Sequence, residues 1–153
     1  MAIDDEGMQF RPDSDKWRIW LHNAGPGGAV VDGVTYYVRF ADQPDSEGSI
    51  NWVPLSIVND QLRSRLLADG VDYFVRWYAR GAPFSAVKQY SEGMQLAWFT
   101  INALAQIRVF DVRVKYIDSL GDVHEKITPV MQRLPSVTVT AIRNASSKGA
   151  PRP

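Results

Sequence analysis

The chain has 153 residues, 45% of them apolar and 22% charged, the size and composition of one ordinary globular domain. Seventeen basic residues balance seventeen acidic ones and cysteine is absent. That excludes disulfide staples, thiolate metal sites and cysteine nucleophiles, and leaves no long-range field to gather the phosphates of nucleic acid.

Residues 1–15 carry Asp4, Asp5, Glu6, Asp13 and Asp15 against Arg11 and read as a flexible acidic arm. Trp17, Ile19 and Leu21 alternate with Lys16, Arg18, Trp20 and His22, the two-residue period of a half-buried strand. Asn23 to Gly28 is a turn of residues that tolerate positive φ. Val30 to Phe40 is a long strand with Val34, Tyr36, Val38 and Phe40 on one face and a bulge expected at Gly33. Gln43 to Ser49 is a loop.

Leu55, Val58, Leu62 and Leu66 recur at spacings of three and four, which predicts a short helix capped by Gly70. Alternation returns from Val71 to Ala79 and ends at Gly81-Ala-Pro83. Met94 to Ile101 is apolar on both faces and suits a central strand. Ile107 to Ile117 is the longest strand signal, with a phase shift between Val109 and Phe110 that predicts a bulge. Asp118-Ser-Leu-Gly121 is a turn with Asp first and Gly fourth. Val123 to Thr128 pairs back as a hairpin, and Val137 to Ile142 reads as a last, edge-like strand. Residues 144–153 have the composition of a disordered tail. The expected architecture is all-β: one antiparallel sandwich domain over residues 16–143, of about seven strands with one short connecting helix.

Two stretches carry a resemblance. One is Trp17 to His22 running into Asn-Ala-Gly-Pro-Gly-Gly-Ala (Asn23 to Ala29). The other is Val114-Lys-Tyr-Ile-Asp-Ser-Leu-Gly-Asp-Val-His124. Together they resemble a loosely defined group of bacterial β-sandwich domains with an Asn-x-Gly-x-Gly-x-Ala turn and a late Tyr-x-Asp-x-x-Gly hairpin. Asn23, Gly25 and Gly27 stand at the first motif, Asp118 and Gly121 at the second. The resemblance implies an immunoglobulin-like fold, often attached to a membrane-spanning segment, and says nothing about chemistry.

The Gly-Pro-Gly-Gly segment leads into a strand rather than a helix N-terminus, so it reads as a turn and not a phosphate loop. His22 and His124 are the two histidines. Asp32, Asp118 or Asp122 would be oxygen ligands for a metal beside them, and Ser119, His124 and Asp118 are formally a Ser-His-Asp set, but neither grouping has a spacing motif behind it. No cofactor is implied.

The aromatic surplus is the more informative feature. Trp17, Trp77 and Trp98 are in phase with apolar neighbours and are expected in the core, where Trp98→Ala would cost about 3–5 kcal/mol. Trp20, Tyr37, Phe74 and Tyr78 fall on the opposite faces, with Arg76 and Arg80 straddling Tyr78 and Arg108 and Arg113 on the longest strand. Trp20, Tyr37, Phe74, Arg76 and Tyr78 form the candidate interaction surface.

The expected function is a non-enzymatic interaction or structural domain, envelope-associated in bacteria or part of a virion. Its partner is another protein or a second copy of itself. The alternatives are a carbohydrate-binding module, or a small hydrolase or metal-dependent enzyme using His22 or His124. No run reaches the ~20 apolar residues of a membrane span, and the acidic N-terminus lacks the apolar segment of a secretory signal. A cytoplasmic protein, or the soluble domain of a longer anchored one, is therefore expected.

Overall fold

The computed structural model describes residues 2–6, 16–23, 27–45, 50–84, 94–134 and 136–148, with residues 2–6, 94, 137, 146 and 148 described by their backbone alone. The described chain is mostly β and forms two antiparallel four-stranded sheets. The first holds β1 (Ala2–Glu6), β2 (Lys16–His22), β6 (Met94–Thr100) and β4 (Tyr73–Val75), in that spatial order. The second holds β5 (Pro83–Phe84), β3 (Ala29–Phe40), β7 (Ile107–Asp118) and β8 (Val123–Pro129). No helix among the described residues is long and apolar enough to cross a membrane.

On β2 the alternation read from sequence fixes which side chains turn inward, and on β3, β6 and β7 register shifts alter its phase. Trp17, Ile19 and Leu21 from β2, Tyr73 and Val75 from β4, and Leu96, Ala97 and Phe99 from β6 are buried. They face Val31, Tyr36, Val38 and Phe40 of β3 and Ile107, Phe110, Val112 and Val114 of β7 in one core. Phe99 and Phe110 meet edge-on at 4.9 Å between ring centroids and so join the two sheets, the geometry that aromatic quadrupoles favour. α1 (Leu55–Ser64) adds Val58 and Leu62, its two buried residues.

Several elements depart from their sequence-based bounds. β1 places the backbone of residues 2–6, from the segment expected to be an arm, beside β2; residues 7–15 lie outside the described residues. β4 has three residues, not the nine of Val71 to Ala79. The chain leaves the sheet after Val75, so Trp77 is 73% exposed rather than in the core. The short β5 pairs with Ala29 and Val30 of β3, where no strand was expected. β6 ends at Thr100, whose hydroxyl accepts the Ala103 N–H and caps α2 (Ile101–Gln106), a helix with no periodic signal because it is a turn and a half long.

The bulge at Gly33 is present, as Val31 opposes Tyr116 and Gly33 opposes Lys115. The second bulge falls at Arg108 instead of between Val109 and Phe110, since Arg39 opposes Val109 and Phe40 opposes Ile107. After a 3-10 turn at Val130–Arg133, the segment expected as an edge strand is a helix, α3 (Ser136–Lys148), packed beside α2. It reaches into residues 144–148 of the expected tail; residues 149–153 lie outside the described residues.

Candidate functional site

The outward face of the first sheet is built from the residues left over once the core is filled. On β2 these are Lys16, Arg18 and Trp20, each half-buried and alternating with the buried Trp17, Ile19 and Leu21. A register shift between Ile19 and Trp20 passes over Leu96 on β6, so Trp20 opposes Gln95 while Arg18 opposes Trp98. On the other side of β6, Phe74 opposes Trp98. Arg18, Trp98 and Phe74 therefore form one row across β2, β6 and β4.

Phe74 and Trp98 stack at 6.3 Å and 24°. The Lys16 ammonium sits 4.0 Å above the Trp98 ring, held by the ring's negative face. Arg76, just past β4, is exposed and makes no ion pair among the described residues. By register Asp4 and Glu6 fall opposite Trp20 and Arg18 at the β1 edge of this face.

Three of the five residues expected at an interaction surface, Trp20, Phe74 and Arg76, lie on or beside this face. Tyr78 lies beside them in a different role. Its hydroxyl donates to the Gln95 carbonyl at 2.9 Å, and burial pushes its phenol up to about 12, with Arg76 pulling the other way; it clasps the chain leaving β4 onto β6. Tyr37 belongs to the other sheet. It meets Trp52 edge-on at 6.5 Å, and Arg113 covers the Trp52 ring at 4.8 Å while donating to Thr35 at 3.0 Å.

Trp98, expected in the core, is half-buried on the outward face. The signal that would have placed it there is the β-bulge at Leu96, which reverses the phase of β6 and is invisible without its partner strand. Trp52 was missed because it precedes α1 in a segment without periodicity. Of the other arginines, Arg80 pairs with Asp32 at 2.8 Å and Arg108 with Asp45 at 3.3 Å.

The two histidines are not brought together in one element pair. His22 is buried at the end of β2. His124 Nε2 lies 2.7 Å from Asp118 Oδ2, and its ring stacks on Tyr116 at 5.0 Å. Asp118 also accepts the Leu120 and Asp122 backbone N–H groups at 2.8 and 3.0 Å. These bonds, the one from His124 first, hold its carboxyl below the ordinary range. The carboxylate is thus the organising group of a turn. No hydrogen bond joins Ser119 to His124 among the described residues, and no three His, Asp or Glu side chains there are grouped as a metal would require.

The turn residues act together. Asn23 donates to the Gly27 carbonyl at 2.8 Å and to the Phe84 carbonyl at 3.1 Å, tying the passage between sheets to β5. A Cβ at Gly27 would stand 3.1 Å from Ser119 Oγ, so the small residue lets the two turns approach. Gly25 lies outside the described residues. Gly121 adopts φ +88° and closes its turn onto the Asp118 carbonyl at 3.1 Å. Between these turns is a shallow pocket of about 320 Å³, mainly apolar, lined by Ala29, Val30, Pro83, Phe84, Ile117 and Ser119 among others.

Comparison with family models, with characterised proteins and with solved structures returned no match.

Proposed function

We propose that the chain is a non-enzymatic, immunoglobulin-like sandwich domain that docks another protein on the outward face of its first sheet. The fold reading rests on strand order. β1-β2-β6-β4 facing β3-β7-β8 follows the A-B-E-D and C-F-G arrangement of an immunoglobulin domain, with β5 added beside β3.

The observation that carries the function is one patch of chemistry. Trp20, Trp98 and Phe74 stand on three adjacent strands, interleaved with Lys16, Arg18 and Arg76. Flat rings supply area at low entropic cost, and cations between them select the partner by charge. The complementary surface is a protein segment carrying acidic and apolar side chains. Such a domain serves as a building block of a bacterial envelope or virion assembly.

Tryptophan emission tests this reading. A peptide of alternating Glu and Phe shifts the emission, and the shift is lost in Arg18→Glu/Arg76→Glu while the circular dichroism stays unchanged. Substituting both histidines by Ala leaves it intact. Emission that answers to an oligosaccharide panel and not to the peptide overturns the proposal in favour of carbohydrate binding.

A further inference from the structure

The last edge of the second sheet is open. β8 pairs with β7 along its whole length and has no second strand neighbour among the described residues. Residues 123–127 are all exposed, Val123 at 65% and Ile127 at 48%. Edges of this length are ordinarily shielded by a bulge, a covering helix, charge or proline; β8 carries charge at Glu125 and Lys126 and ends in Pro129, but no bulge interrupts its pairing with β7.

The register shows which backbone groups the edge offers. The Asp118 N–H donates to the Asp122 carbonyl at 3.0 Å, and bonded and non-bonded pairs alternate along an antiparallel ladder. His124, Lys126 and Thr128, opposite Tyr116, Val114 and Val112, therefore turn their N–H and C=O groups toward β7. Val123, Glu125 and Ile127 turn theirs outward, and Pro129 ends the row with no N–H to give.

We propose that β8 is a self-pairing edge, through which two copies of this chain join antiparallel about a two-fold axis at Glu125. The second sheets of the two copies become one continuous sheet. Val123 and Ile127, both exposed, stand two residues either side of Glu125, so the strand is complementary to a second copy of itself. With the axis at Glu125, every outward residue meets an outward residue: Glu125 its own copy, and Val123 the Ile127 of the other chain, twice. Those two apolar pairs are the stabilising contacts. Moving the axis to Lys126 sets Pro129 opposite Val123 and loses a donor. Moving it to His124 sets the turn residue Gly121 opposite Ile127. Against the two apolar pairs stand Glu125 opposite its copy and, on the other face of the strand, Lys126 opposite the His124 of the other chain, twice; each Glu125 keeps its own Lys115 at 3.8 Å on the side away from the axis. A two-fold contact of this kind closes on itself and stops at the dimer.

Sedimentation velocity of the whole chain across a dilution series tests the proposal. A reversible monomer–dimer equilibrium is expected. Ile127→Lys abolishes it, with circular dichroism and melting temperature unchanged. Val123→Pro, which removes an outward donor and no bond to β7, does the same. Glu125→Gln tightens the dimer by about two- to fivefold, the size of a relieved like-charge pair. A monomer at every concentration overturns the proposal, as does a dimer indifferent to Ile127→Lys. A dimer lost instead in Arg18→Glu/Arg76→Glu overturns it too and assigns self-association to the face of the first sheet.

Discussion

Leu66 shows how one residue can end a helix against its own preference. It sits at φ 61°, its N–H bonds the Arg63 carbonyl, and the Leu67 N–H bonds the Leu62 carbonyl at 3.2 Å. That pair of bonds is the Schellman arrangement, in which the left-handed position favours glycine. The side chain is 92% exposed, so it contributes little packing to offset the strain. Leu66→Gly is expected to raise stability by about 0.5–1 kcal/mol, read as a higher urea midpoint at constant slope. The glycine taken from sequence as the cap, Gly70, lies in the loop beyond at φ 79°. Asp118 gives a second residue-scale prediction. Its folded pKa is depressed below the ordinary 3.8, so its stabilisation is complete above that value and is lost as pH falls through the lower folded one. The melting temperature of Asp118→Asn should lie below that of the parent at neutral pH, and the two should converge in acid.

At the scale of elements, local pattern succeeded where an element is paired along its length and failed where a neighbour decides its end. β2, β7 and β8 match their expected bounds closely because each has a full-length partner. β4 keeps three residues of an alternating nine, since β6 offers Ala97, Trp98 and Phe99 as its register partners. Residues 137–142 are β-branched at every position but Ala141, a strand pattern by propensity. They fold as α3 because four-residue spacing puts Thr138, fully buried, and Ile142, packed against the core, on one side, and tertiary packing outweighs propensity. Deleting residues 145–153 removes exposed parts of the last turn and is expected to leave the melting temperature within about 1–2 °C. Deleting residues 135–153 uncovers core and should lower it by several degrees. Differential scanning fluorimetry of the two truncations checks both.

For the whole molecule, stability depends on which side of each sheet a large ring occupies. Phe110 is fully buried and touches Tyr36 at 5.7 Å and Phe99 at 4.9 Å between centroids. Phe110→Ala leaves a cavity between the sheets and should cost about 3–5 kcal/mol. Trp98→Ala removes one stacking partner and one cation–π contact from the outer face and should cost about 1–3 kcal/mol, less than its expected place in the core implied. Urea denaturation of the two variants ranks them, and a larger loss for Trp98 would place that ring in the core after all.

Alternation and turn chemistry alone determined that the described chain is mostly β, that Trp17, Ile19, Tyr36, Val38 and Phe40 are interior, and that Asp118 and Gly121 make a turn, because those are consequences of a two-residue period and of backbone geometry within a few residues. Tertiary structure decided the pairing of Arg18 with Trp98 and Phe74, the exposure of Trp77, the helix at residues 136–148 and the open edge of β8. Each of these depends on which strand lies alongside, on where a bulge reverses the phase and on where a partner strand runs out, and those are properties of pairs of segments far apart in the chain.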